Sequence, residues 1–335
     1  ARAHYSEIKI IYSIHNYFAF CPQVNLWFQD KSPCRDFAEG RKCVNCLVQP
    51  AHTIGTRGMY RLEYCLRKLG AGPHSFAYRA ATQLILGLLP SMHHYLRLVW
   101  RRKDFVVKDT PIQSRVARNA SKPAFILDPA EAARFAARRR IFVDALNTFA
   151  DHVLAVSRRV AELTVGFGID PAKVRTLYIG TSFAKATPNA PLRVAAKRSD
   201  SLRIAYLGYM HRDKGFFFFL RALQRMPADL ARRLAVTFAV KMGDQSAHQR
   251  IKRMAHRFAS VTFYDGYTHQ QLPTILSTID IAVVPVLWED NLPQVAIECV
   301  ASGVPVLTSD RGSAQELLRC PQLVFRAGSY TQLYD

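Results

Sequence analysis

Asp280-Ile281-Ala282-Val283-Val284-Pro285 leads through Trp288 into Glu289-Asp290-Asn291-Leu292-Pro293-Gln294-Val295-Ala296-Ile297-Glu298, and then into Gly303-Val304-Pro305-Val306-Leu307. The first run is short, apolar throughout and rich in β-branched residues, which predicts a strand buried on both faces of a parallel sheet. The acidic loop then lies at that strand's carboxyl end, where open α/β sheets bind their ligands. Gln294 to Ala301 reads as a short helix opening after Pro293, with its free N–H groups turned toward anything anionic in the crevice. Asp290 in the loop and Glu298 in the helix supply carboxylates that accept hydrogen bonds from hydroxyls. This pairing fits a polyhydroxylated, phosphorylated ligand. The spacing alone is equally consistent with a solvated loop and an acid near a helix start.

Outward from this stretch, strands and helices alternate. Leu202 to Leu207, Leu234 to Lys241, Val261 to Tyr264 and Pro305 to Thr308 read as further strands. Phe216 to Arg225, Ala247 to Phe258, Gln270 to Ser277 and a segment from Ser313 read as helices between and after them. Such alternation predicts an α/β protein with a doubly wound parallel sheet and short right-handed connections. In the first half, Ile8 to Ile14, Asp151 to Ser157 and Val174 to Ile179 read as strands, with Ser157 opening a helix. Pro73 to Arg140 reads as mainly helical, broken at Pro90 and Pro123. The stretch from Gly180 to Ser201 has no clear period and carries Pro188 and Pro191. It is the expected boundary between an amino domain, residues 1–182, and a carboxyl domain, residues 183–335.

At 335 residues and 49% hydrophobic content the chain is long enough for two cores. The best uninterrupted apolar run, Leu84 to Pro90, is far shorter than the roughly 20 residues that cross a bilayer, and the first residues lack the apolar stretch of a signal peptide. A cytoplasmic protein is expected, with a peripheral place at the inner membrane surface as a variant. The formal charge is +21, and it is unevenly spread: 17 Lys or Arg against five Asp or Glu from Arg57 to Arg140, but three against seven from Gln271 to Asp335. A positive field of this kind suits an anionic membrane surface, a phosphate-bearing acceptor or nucleic acid, and equally a solvated basic face. Without an RNP-type signature or paired-histidine finger spacing, nucleic acid is not the expected partner.

Four further constellations could carry chemistry. Tyr206-Leu207-Gly208-Tyr209-Met210-His211-Arg212-Asp213-Lys214-Gly215 joins a strand to a helix, so that the Lys214 ammonium and helix-opening N–H groups converge where a diphosphate would sit. Arg212 adds a bidentate donor, and the glycine and lysine spacing is not that of a P-loop. Lys241-Met242-Gly243-Asp244 is a second strand end toward the same crevice, with a weaker pattern. His15 ends the first strand, at a position suited either to capping or to bonding a sugar hydroxyl. Cys21, Cys34, Cys43 and Cys46 fall within 26 residues, the last two as C-x-x-C. Four such thiolates close a structural zinc site, while free buried thiols are the alternative; Cys65, Cys299 and Cys320 read as core residues.

Taken together, these motifs resemble the retaining nucleotide-sugar glycosyltransferases of the GT-B fold, glycosyltransferase family 4. The resemblance rests on the G-x-x-x-x-x-K-G turn from Gly208 to Gly215, on Phe263-Tyr264-Asp265-Gly266-Tyr267, and on the acidic segment leading to Gly303-Val304-Pro305-Val306. In the first half, Ile14-His15-Asn16-Tyr17, Cys21-Pro22 and the C-x-x-C resemble a cysteine-rich branch of that family. It implies two Rossmann-like doubly wound domains facing a cleft, the amino one incomplete because the chain begins midway through it.

By this resemblance Glu298 binds the donor ribose and Asp290 or Glu289 the donor sugar, with Gly208, Asn291 and Leu292 completing the donor site. Arg212 and Lys214 neutralise the leaving diphosphate, and His15 lies near the reacting centre. The implied partners are a nucleotide-diphosphate sugar and a glycan or lipid-linked acceptor, and no cofactor is needed for catalysis. Two positions depart from the pattern: Tyr209 stands where the family often has Arg, and E-x7-E spacing places Asp290 at the first acid. The competing readings are a glycoside hydrolase with Asp290 and Glu298 as its carboxylate pair, and a non-catalytic protein that binds nucleotide sugars or anionic surfaces.

Overall fold

Every strand pair in the two larger sheets of the protein runs parallel, as the buried apolar runs predict. The computed structural model describes residues 7–29, 31–46, 128–183, 201–241, 244–318 and 320–335. By its contacts the chain divides into one compact unit formed by Ala1–Cys46 with Leu127–Asp335, and a second formed by Leu47–Ile126. The second unit carries 13 Lys or Arg against three Asp or Glu; it and the helices expected before Pro129 lie outside the described residues, as does most of the expected boundary after Gly180.

Within the first unit, β1 (Ile11–Ile14), β4 (His152–Ala155) and β5 (Val174–Thr176) form a parallel sheet in the order β1-β4-β5. Between β1 and β4 come a small antiparallel pair, β2 (Trp27–Phe28) and β3 (Ser32–Pro33), and two helices, α1 (Arg41–Cys46) and α2 (Pro129–Phe149). Asp128 caps α2 by accepting from the Glu131 N–H. Ile14, Tyr17, Phe20, Val153, Val160 and Ile169 form the core here. β1 starts at Ile11 rather than Ile8, and just before it the Ile10 N–H goes to the Asp151 carboxylate. α3 (Arg158–Gly166) opens at Ser157, whose hydroxyl accepts from the Val160 N–H.

The larger sheet holds β6 (Leu202–Tyr209), β7 (Leu234–Lys241), β8 (Ser260–Asp265), β9 (Ile281–Val284), β10 (Val306–Ser309) and β11 (Val324–Phe325). Its order is β11-β10-β9-β6-β7-β8. Counted from β6 this is the 3-2-1-4-5-6 order of dinucleotide-binding sheets, whose reversal falls between β6 and β9. The crevice at a reversal is where such sheets bind ligands, so the turns after β6 and β9 are brought together by topology.

α4 (Phe216–Arg225) follows β6 and buries Phe216, Phe219, Leu220 and Leu223, spaced as one helical face, against Phe238 and Val236 of β7. Phe218, off that face, stacks on Phe325 and Tyr330, so three of the four consecutive phenylalanines are buried core. α5 (Ala228–Arg232) and α6 (Gln245–Met254) complete this layer; α7 (Leu272–Ser277) and α8 (Gln294–Ala301) pack with β9 and β10 in a second cluster. The helix expected from Ser313 is only a 3-10 turn, Ala314–Leu317, before the short α9 (Tyr330–Tyr334). Its residues serve other bonds: the Ser313 N–H goes to the Asp290 carbonyl, and the Glu316 carboxylate to the opening of α3.

Candidate functional site: a crevice at the reversal of the sheet

The turn after β6 is shaped by a close approach. Gly215 caps α4 in the left-handed region, φ +77, and a Cβ there would lie 1.7 Å from the Pro285 carbonyl oxygen. Only glycine fits. The turn is also tied to the segment after β9 by the Leu287 N–H, which donates to the Asp213 carbonyl at 2.8 Å, and internally by the Tyr206 hydroxyl, which donates to the Tyr209 carbonyl. These bonds carry Lys214 over the crevice, where its Nζ donates to Asp290 Oδ2 at 2.7 Å and lies 5.0 Å from the Trp288 ring centroid.

On the opposite wall the acidic loop is equally fixed. The Ser313 N–H donates to the Asp290 carbonyl at 3.0 Å, and a Cβ on Gly312, φ +64, would meet the Asp290 backbone at 2.5 Å. Asp290 is only 4% exposed; burial raises its carboxyl above the ordinary range, while Lys214 pulls the other way. Glu298, in α8, is also 4% exposed and raised by burial, with His269 Nε2 3.6 Å from its Oε1 in opposition.

Between these walls lies a cavity of about 480 Å³, of the size that takes a small organic ligand. Gly208, Lys214, Asp290, Leu292 and Glu298, five of the residues expected at the donor site, line it. The others lie elsewhere. Arg212 is exposed and outside the lining, and Asn291, though buried in the loop, is outside it too. Glu289 faces away from the cavity, with both oxygens bonded by Arg159 at 2.9 and 3.1 Å. His15 is exposed and bonded to the Ser13 hydroxyl at 2.9 Å, also outside the lining. Of the two acids left open by spacing, Asp290 is the one that faces the cavity.

Three lining residues carry chemistry that the motifs did not single out as sites. Tyr267 and His269 follow β8, and Tyr209 is 60% exposed and stacked on His211. Tyr267 was legible as part of a family motif, and Lys241 as a strand end; both line the cavity. Nothing in the spacing points to His269, whose place beside Glu298 comes from the adjacency of the turns.

Among the described residues, no group of three or more His, Cys, Asp or Glu side chains is gathered to hold a metal ion. Cys21, Cys34, Cys43 and Cys46, expected as a zinc set, form no such group in these positions, although the other three all act on the Cys43 thiol. The Cys46 thiol is turned to Gln23 Oε1 at 3.0 Å, and that of Cys34 to the Asp36 carbonyl at 3.6 Å. Burial, helped by Cys21, Cys34 and Cys46, pushes the Cys43 thiol up to about 12. Among the described residues no helix is long and apolar enough to cross a membrane.

Residues 201–334, spanning the whole larger sheet, match the family model described as Glycosyl transferases group 1. Over 181 residues the chain is 23% identical to Spore coat protein SA of Bacillus subtilis, covering 50% of this chain and 48% of that protein. The chain thus spans about half the length of the curated relative it matches. Among solved structures, it is similar to Anabaena HepE in complex with UDP and glucose, at 20% identity and a TM-score of 0.45, over 59% of this chain and 55% of the other. It is also similar to an α,α-trehalose-phosphate synthase (UDP-forming) from Burkholderia vietnamiensis, at 14% identity and a TM-score of 0.47, over 62% and 56%.

Proposed function

We propose that this protein is a retaining glycosyltransferase of family 4 type, moving a sugar from a nucleoside-diphosphate donor to a hydroxyl of a glycan or lipid-linked acceptor. The observation that carries the reading is one cavity, at the reversal of a dinucleotide-type sheet, with Lys214 and Asp290 at one part of its lining and Glu298 at another. The match of residues 201–334 to group 1 glycosyl transferases supports it.

In this reading Glu298 accepts hydrogen bonds from the ribose hydroxyls and Asp290 from a sugar hydroxyl. Lys214 faces the diphosphate with the free N–H groups that open α4, where negative charge develops as the anomeric bond breaks. The bond from the anomeric carbon to the phosphate oxygen breaks, the bond to the acceptor oxygen forms on the same face, and the acceptor proton passes to the leaving phosphate. The transfer needs no cofactor in this scheme. His15 and Arg212, which lie outside the cavity lining, are assigned no step in it. A hydrolase would need two carboxylates placed across one bond and has no use for the Lys214 ammonium held against Asp290.

A thermal-shift screen of the full chain against UDP, GDP, ADP and their sugars tests the reading, since a ligand of the native state raises the melting temperature by mass action. One nucleotide is expected to stabilise the protein, and Lys214→Ala and Glu298→Ala to abolish that shift. Cleavage of glycosides with no nucleotide binding would overturn it; binding with no transfer to any acceptor would leave a nucleotide-sugar-binding protein instead.

A further inference from the structure

Glu289 and Asp290 are neighbours with opposite fates. The Asp290 carboxylate lines the cavity, whereas that of Glu289 turns back, 8% exposed, into a network supplied by the other half of the unit. Arg159 Nε and Nη2 hold its two oxygens at 2.9 and 3.1 Å, and Arg311 Nη1 stands 3.7 Å from one of them. The residues beside Arg159 grip the same region. The Ser157 hydroxyl is 2.6 Å from that of Ser313, both fully buried, and the Ser313 N–H holds the Asp290 carbonyl. The Glu316 carboxylate accepts the N–H groups of Arg158 and Arg159 at 2.9 and 2.7 Å. Tyr17, wholly buried, packs in the core that Leu292 of this loop also joins.

The loop is thus anchored on both sides of the Asp290 side chain, by the Glu289 carboxylate before it and the Asp290 carbonyl after it. The first anchor is a planar two-point contact, which fixes direction as well as distance and which a lysine could not reproduce. We propose that Arg159 is a positioning residue for the donor site: by holding Glu289 from the opposite half of the unit, it sets the direction in which Asp290 meets the donor sugar. This rests on the reading of Asp290 as the sugar-facing acid. It also assigns the Glu289 carboxylate to orientation and removes it from contact with the donor.

The test uses full-length Arg159→Ala, Arg159→Lys and the double variant Arg159→Ala/Glu289→Ala, with UDP, GDP and ADP and their sugars as probes. A misdirected acid costs turnover more than ground-state binding, and a displacement of about 1 Å near reacting atoms lowers a rate by about 10²-fold. In Arg159→Ala, kcat is expected to fall by about that factor while the affinity for the bare nucleoside diphosphate is little changed; Arg159→Lys is expected to fall between it and the wild type. The double variant removes the unpaired buried carboxylate, so its melting temperature recovers while kcat stays low. Recovery of kcat together with the melting temperature would reduce Arg159 to a stabilising contact and overturn the proposal, as would an unchanged kcat in Arg159→Ala. A wild-type chain that binds no nucleoside diphosphate refutes the functional reading and this proposal with it. A wild type that binds and transfers, beside an unaffected Arg159→Ala, refutes the proposal alone.

Discussion

Replacing Lys214 by methionine keeps the side-chain stem over Trp288 and removes only the ammonium. At 2.7 Å from Asp290 Oδ2, two unit charges at an effective dielectric constant of about 20 attract by about 6 kcal/mol, before desolvation and screening are subtracted. The pair is lopsided: the Asp290 side chain is 6% exposed and that of Lys214 32%. The expected loss is therefore about 2 kcal/mol, between the about 0–1 of an exposed pair and the about 3–5 of a broken buried one. The loss must depend on pH. Burial already raises the Asp290 carboxyl above its unfolded value, and without Lys214 it rises further. Between the unfolded and folded values the native state binds more protons, so stability falls as pH rises through that window. Urea unfolding should show the full deficit at the alkaline end of a pH series and less of it at the acid end, where a proton takes the place of the lysine. Lys214→Met/Asp290→Asn should recover most of the stability at both. An equal loss at both ends, or none, would refute the account of Asp290 as a buried acid held ionised by Lys214.

Other consequences are as direct. Gly215→Ala should cost more than the roughly 1–2 kcal/mol of a left-handed alanine, because its Cβ also meets the Pro285 carbonyl, whereas Gly328→Ala, φ +82 with nothing within 4 Å, should cost only the former; chemical denaturation compares them. Nucleotide affinity should fall with acid starting above the ordinary glutamate range, because burial raises Glu298 and only the ionised carboxylate accepts from two hydroxyls; titration of Glu298→Gln by calorimetry should show a weaker but flatter dependence. Ser157→Ala removes the cap of α3 and the bond to Ser313, for about 1–2 kcal/mol by denaturant unfolding, with unchanged m-value.

How much of this was legible follows from the range of the forces involved. Phe216–Arg225, Leu234–Lys241 and Gln294–Ala301 lie where their local patterns place them, because one-sided burial writes a period into the sequence. Ser313 to Leu317 looked equally helical, yet the bonds of its Ser313 amide and Glu316 carboxylate reach residues 23 to 158 positions away. No local period encodes such partners.

The site divides in the same way. The sequence by itself determined an α/β chain with candidate-site turns after β6 and β9, and pointed to Lys214, Asp290 and Glu298, since strand ends, glycines and helix openings are local features. Only the tertiary structure put Asp290 rather than Glu289 in the cavity lining, brought His269 to Glu298, and left His15 and Arg212 outside that lining. The physical reason is that a carboxylate's role depends on which cation reaches it. Arg159, 130 residues before Glu289, reaches it only once both sheets have formed.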